Sequence, residues 1–190
     1  MRHRRFIRAL AGREGFTLVE LIVVISIFAV ISMIVAPRIA NFMSAERSGF
    51  IVLRAVLAKA FDDAFVNGRT NYAVFHLYER DVELSKFNEG VFDRVNAISV
   101  LVLTPEGKFQ DSPHRLLKHH TFPDSFRLEE AVFSGGQTVR RGNVLVPFYP
   151  GGSSDDVVLH VLVNGTEQRS VRMYKFLKEP SIEQGYTSYE

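Results

Sequence analysis

Glu20 is the residue whose placement calls for chemistry. It stands in an otherwise apolar run from Phe16 to Ala36, four residues after Phe16. A carboxylate well inside a membrane span costs about 2.5–3.5 kcal/mol on insertion scales, and less near a helix end where it can reach the interface. It becomes tenable beside a designated cation. Cutting the chain after Gly15 would create one, because the freed α-amino group of Phe16 lies one helical turn back on the same face. That amine could neutralise Glu20 of its own chain or of a neighbour staggered along a fibre. The chemistry implied is an unmasking by proteolysis followed by ion pairing.

Other residues with chemical potential point to less. His119 and His120 are adjacent and point apart in any regular element, and His114 lies nearby in "SPHRLLKHH". A metal needs three converging ligands at suitable spacing, so an exposed polar loop is the expectation and no metal or other cofactor is. "GGSSDD" (151–156) has too few oxygen ligands for a calcium loop, and no Lys-Ser/Thr follows at phosphate-loop spacing. Arg140, Arg141, Arg169, Arg172 and Lys175 could form a basic patch for nucleic acid, but alternation along 169–174 reads more simply as a half-exposed strand. No activated nucleophile or carboxylate pair stands out, so an enzyme is not expected.

The elements that must position Glu20 come next. Phe16 to Ala36 is 21 residues, or about 31 Å as a helix, which matches a hydrocarbon core of about 30 Å. Pro37 closes the run, where it either kinks the helix or marks the membrane boundary. Arg2, Arg4, Arg5, Arg8 and Arg13 precede the run with a single acid, Glu14. A basic head before an apolar span stays in the cytoplasm and sends the rest outward. Without residues 1–15 the chain has 18 basic and 20 acidic residues, about −2 net, so the basic character is an N-terminal address. A cleaved secretory signal is disfavoured, because the run is longer than the usual apolar region and no small-residue cut site follows. A plain signal anchor stays open but leaves Glu20 unexplained.

Beyond Pro37 the helical period continues through Ile39, Phe42, Phe50, Leu53, Leu57, Ala60 and Phe65, giving an amphipathic helix to Asn67 with Gly68 as its stop. From Asn71 the pattern turns to strands at 71–78, 96–104, 126–133 and 143–150. A hairpin over 156–176 has Asn164-Gly165 as its turn. Pro147 places its strand at an edge or a bulge. The fold class expected is α+β, a long N-terminal α-helix packed against an antiparallel β-sheet domain. With 46% hydrophobic residues, 16 Phe and no Cys, the domain has a core without disulfides or thiolate metal sites.

"GREGFTLVELIVVISIF" resembles the signal of the type IV pilin superfamily: a short basic leader ending in Gly, then Phe-Thr-Leu-x-Glu and an apolar helix. The resemblance implies that a prepilin peptidase cleaves between Gly15 and Phe16 and N-methylates Phe16. It also implies that Glu20 sets the assembly register, and Pro37 stands where many members carry a helix-distorting proline. "LAKAFDDAFVNGRTNYAVFHL" (57–77) and "VPFYPGGSSDDVVLHVLVNG" (146–165) are similar to the H-type minor pseudopilins of type II secretion, and 79–142 matches nothing. The implied organisation is a cleaved basic leader (1–15), a transmembrane and filament-core helix (16–37), an amphipathic helix (38–68) and a periplasmic β-sheet domain (69–190). The implied partners are the prepilin peptidase, other major and minor pseudopilins or pilins, the inner-membrane assembly platform, and membrane lipid before assembly. The implied location is the bacterial inner membrane, single-pass with the N-terminus cytoplasmic, and then a periplasmic pseudopilus. A minor pilin of a type IV pilus, including one for DNA uptake, is the alternative; nucleic acid is otherwise not expected as a partner.

Overall fold

The structure, a computed structural model, describes residues 17–79, 90–176 and 178–188, with the side chains of 34–45 outside that description. The chain divides into two compact units, Met1–Ala40 and Asn41–Glu190. Helix α1 spans Leu18–Asn67. It ends where Gly68 takes a left-handed φ of 61° and Arg69 N–H donates back to Ala64 O at 3.3 Å. That is the glycine-dependent C-terminal cap the sequence announces.

In the second unit the helix offers one apolar face. Phe50, Leu53, Val56, Leu57, Ala60 and Ala64 recur at three- and four-residue steps, and all are buried in a single core cluster. The strands are β1 (Asn71–His76), β2 (Ala97–Leu103), β3 (Phe109–Asp111), β4 (His120–Thr121), β5 (Phe126–Phe133), β6 (Thr138–Val139), β7 (Asn143–Tyr149), β8 (Ser153–Ser154), β9 (Val157–Val163), β10 (Glu167–Met173) and β11 (Ser181–Gln184). All pairings are antiparallel.

These strands form two sheets where the sequence pattern suggested one. The first runs β3-β2-β1-β7-β8, with β4 also on β2; the second runs β11-β10-β9-β5-β6. Alternate residues of both sheets, among them Phe75, Val100 and Val146 in the first and Leu128, Leu159 and Val171 in the second, join the helix face in one core. The hairpin turn falls where expected, with Asn164 and Gly165 both left-handed. Pro147 pairs with Tyr72 on one side, and on the other β8 reaches only Phe148 and Tyr149. The proline thus sits where its missing N–H removes no ladder bond on that side.

Buried polar groups fix the joints. Asp63, near the helix end, accepts from Asn67, Arg69 and Asn71, and Asn71 also donates to Ala60 O at 3.0 Å. Burial alone would raise the Asp63 carboxyl, but those donors outweigh it and hold the group below its usual range. Asn96, left-handed at φ 49°, donates to Phe122 O and Phe126 O and accepts from Leu128 N–H, which fastens the start of β5 to the start of β2.

At Gly49 the helix comes close to Phe126 of the second sheet. A Cβ there would lie 2.5 Å from the flank of the Phe126 ring, which is itself fully buried and edge-on to Phe50 at 4.9 Å. Gly49→Ala gains about 1 kcal/mol of helix propensity, yet overpacking a core costs about 1–3 kcal/mol. The net expectation is a lower denaturation midpoint for the chain in detergent micelles. A higher midpoint would mean that Phe126 yields and that the close approach is not constraining.

Candidate functional site

Thr17 opens the helix. Its hydroxyl accepts from Glu20 N–H at 3.2 Å, and its carbonyl accepts from Leu21 N–H at 3.1 Å. Thr17-Leu18-Val19-Glu20 therefore has the spacing of a capping box, Ser/Thr-x-x-Glu. The spacing is legible in the sequence, but the sequence reading above assigns Thr17 no role. Glu20 is exposed in the first turn, where the positive end of the helix dipole favours a carboxylate. Among the described residues no cation pairs with it.

Around this start the helix surface is apolar on every side. Leu18, Val19, Leu21, Ile22, Ile25 and Phe28 are all more than half exposed. Inside this stretch the Ser26 hydroxyl donates back to Ile22 O at 2.8 Å. It therefore asks nothing of an apolar surrounding. Among the described residues no helix is long and apolar enough to cross a membrane. The described side chains of this stretch end at Met33, sixteen residues into the helix, or about 24 Å. Gly15 and Phe16 lie outside the described residues. The helix continues through position 37, and the side chain of Pro37 is outside the description.

The structure disperses the other candidates. His114 accepts from Leu116 N–H and caps a short 3₁₀ turn, and His119 and His120 differ in exposure. Asp156 accepts from Lys175 N–H, so the acid of "GGSSDD" is used inside the fold. Arg140 is bonded to Glu130, and Arg169 to Glu46 and Glu167. These pairings leave the suggested patch without a run of uncompensated positive charge at those two positions.

One constellation was not visible in the sequence. His76 Nε2 lies 2.8 Å from Ser99 Oγ, and His76 Nδ1 meets Asn143 Oδ1. Asn143 in turn donates to Phe92 O at 2.8 Å, which fixes its amide so that the oxygen faces the ring. Ser99, His76 and Asn143 thus stand in nucleophile–base–orienter order. A cleft of about 180 Å³ lined by Leu77, Glu79, Phe92, Arg94 and Asn143 opens beside them, but neither His76 nor Ser99 lines it. Both are fully buried, so the arrangement holds β1, β2 and β7 together and offers no attack path. Desolvation drives the imidazole down to about 4, against the Asn143 bond and in concert with Arg94. A neutral ring satisfies both neighbours, donating to Asn143 and accepting from Ser99.

With this geometry in view, residues 10–36 match the family model described as the prokaryotic N-terminal methylation motif. Comparison with curated proteins gives no match. Two solved structures of the minor pseudopilin EpsH from the type II secretion system of Vibrio cholerae are similar at 13% and 15% identity, with TM-scores of 0.47 and 0.48. The alignments cover 74% and 77% of this chain, and 95% of that chain in both cases. With identity this low and TM-scores below 0.5, the functional reading rests on the N-terminal motif.

His76 makes stability pH-dependent with a definite sign. The unfolded imidazole takes up its proton near 6.5 and the folded one only near 4, so the unfolded state holds the extra proton between those values. Stability is full above about 6.5 and declines as pH falls toward 4, by about 3 kcal/mol if the whole shift is realised. An imidazole NMR titration should show His76 neutral until about pH 4. A ring titrating near 6.5 would mean that water reaches it.

Proposed function

We propose that this protein is a minor pseudopilin of a type II secretion system, a structural subunit assembled through its N-terminal helix. The observation that carries the reading is the N-terminal methylation motif over residues 10–36, with Glu20 in the first turn of a helix begun by Thr17. The preference for a secretion pseudopilus over a type IV pilus rests on the stretches 57–77 and 146–165. A minor pilin shares every feature of the N-terminal motif.

On this reading the precursor inserts with Arg2 to Arg13 in the cytoplasm and residues 69–190 in the periplasm. A prepilin peptidase cuts between Gly15 and Phe16 and methylates the new amine. The apolar helix then leaves lipid for a bundle of like helices. Neighbouring apolar side chains replace the acyl chains, so transfer between the two surroundings loses little hydrophobic stabilisation. Glu20 sets the axial register by meeting a cationic terminus in low dielectric, where an unpaired carboxylate is costly.

Two substitutions test the reading in cells that carry the secretion apparatus. Gly15→Ala should leave the unprocessed precursor as the dominant species on a gel, and wild-type-like processing would remove the cleavage assignment. Glu20→Leu should be processed normally, with mass spectrometry showing a methylated Phe16 terminus. It should nonetheless be depleted from sheared or cross-linked pseudopilus fractions. Undiminished incorporation of that variant would remove the register role while leaving the cleavage assignment standing.

A further inference from the structure

The C-terminal segment folds over the outer face of the second sheet. β11 pairs with β10 through Arg169–Arg172, and at Gly185, with φ 78°, the chain turns back. Gly185 N–H donates to Gln168 O at 2.9 Å. The Ser170 hydroxyl donates to Gly185 O at 2.7 Å and accepts from Thr187 N–H at 3.0 Å. The Tyr186 ring lies flat on His160 of β9, with centroids 4.2 Å apart and planes within 3°. Residues 185–188 thus form a strap that crosses β10 to reach β9.

His160 ties the strap to a different strand. Its Nε2 lies 3.0 Å from Thr187 O, and its Nδ1 lies 2.8 Å from Glu130 Oε1 on β5. The register of β5 against β9 shifts between Leu128 and Glu130, so Glu129 is an extra residue and Glu130 falls opposite His160. Without this bulge, alternation would turn Glu130 toward the core side occupied by Leu128. Burial alone would raise the Glu130 carboxyl, but bonds from Arg140, at 2.7 Å, and from His160 hold it below its usual range.

The donor count then sets what the two contacts require. Glu130 is ionised and can only accept, and the Thr187 carbonyl can only accept. A neutral imidazole carries one N–H, and only the imidazolium carries two. His76 is the contrast, because one of its neighbours is a hydroxyl that can donate. We propose that His160 is a proton-dependent latch: protonated on both nitrogens it clamps the C-terminal strap to Glu130, and on losing a proton it releases Thr187. The N–H that remains stays with the carboxylate, because a charged acceptor makes the stronger bond. Nε2 then turns a lone pair toward a carbonyl oxygen, and the two repel.

The charged groups around the ring come from several elements. Glu130 on β5 accepts from the ring, and Arg140 after β6 bonds the same carboxylate. Arg172 on β10, Glu183 on β11 and Tyr186 border a shallow cleft with Thr187 and Ser188 at the strap's edge. Burial first, and then Glu129 and Glu130, push the Tyr186 phenol up to about 12, so it stays neutral from about pH 5 to about pH 9. The strap's response to pH therefore belongs to His160.

The test uses the full chain in detergent micelles, with imidazole ¹⁵N shifts and backbone amide exchange, corrected for intrinsic rates, from about pH 5 to about pH 9. Thr187 N–H is the reporter, since it is bonded only while the strap is closed. Its protection should fall about tenfold or more as His160 loses its proton, in line with loss of a hydrogen bond to a charged group. Amides of β9 should be unchanged. Glu130→Gln is near-isosteric but uncharged, so it weakens the clamp and should lower Thr187 protection at the acid end of the range. His160→Phe keeps the stacking and removes both bonds, so the strap should be open across the range. Thr187 protection that ignores the protonation of His160, or that is undiminished in Glu130→Gln, would overturn the latch.

Discussion

Leu53, Leu57, Ala60 and Ala64 fall on one side of α1, and the inner faces of two sheets close on that side. The rest of the second unit follows from this seam. A fully buried Leu or Phe is worth about 1.5–3 kcal/mol relative to exposure. The seam gathers Leu53, Leu57, Phe75, Phe126, Leu128 and Leu159 with essentially no exposed surface. Ala60 and Ala64 are small where the backbone must come close, and Gly49 takes this to its limit against Phe126. With both sheets present, Val157, Val161 and Val163 meet residues of β7 and α1 in one cluster.

A seam made only of apolar groups would tolerate sliding, and the buried polar groups remove that freedom. Asp63 with Asn71 fixes the helix end to β1, Asn96 fixes β5 to β2, and His76 fixes β1 to β2 and β7. Each makes bonds that breaking would strand in the interior, so each is costly to displace: a buried donor or acceptor left without a partner costs about 1–3 kcal/mol. The two histidines differ in what their neighbours ask of the ring. His76 sits between a hydroxyl and an amide oxygen and is neutral; His160 sits between a carboxylate and a carbonyl and needs two protons to satisfy both.

Much of this was legible in the sequence. The helical stripe, the glycine stop at Gly68, the Asn164-Gly165 turn and the edge character at Pro147 each rest on local rules that act within a few residues. The split into two sheets was not legible, because strand order depends on pairings such as β1 with β7, some seventy residues apart. The short strands β3, β4, β6, β8 and β11 were missed for a related reason. Two to four residues carry no period of their own, and these pieces exist only because a longer strand offers an edge. The His76 and His160 clusters were equally hidden: each joins residues from three elements. At the helix start the position of Glu20 was read directly, while the capping role of Thr17 was missed although its spacing is plain.

The helix start also explains why the acid sits at Glu20 and not deeper. The N-terminus of a helix carries roughly half a positive charge from its unpaired N–H groups. On the proposed reading, cleavage places a second positive charge, the amine of Phe16, at that same end. Methylation of the nitrogen leaves its charge in place. In water the two positives would be screened, but within an apolar bundle they are not. A carboxylate in the first turn faces both, whereas one or two turns further along it would face neither. Thr17 meanwhile absorbs one of the orphan N–H groups, that of Glu20 itself, so that the carboxylate is left free of its own backbone. On that reading one short stretch, Phe-Thr-x-x-Glu, would supply the cation, the cap and the counter-charge that a helix needs if it is to end inside a medium without water.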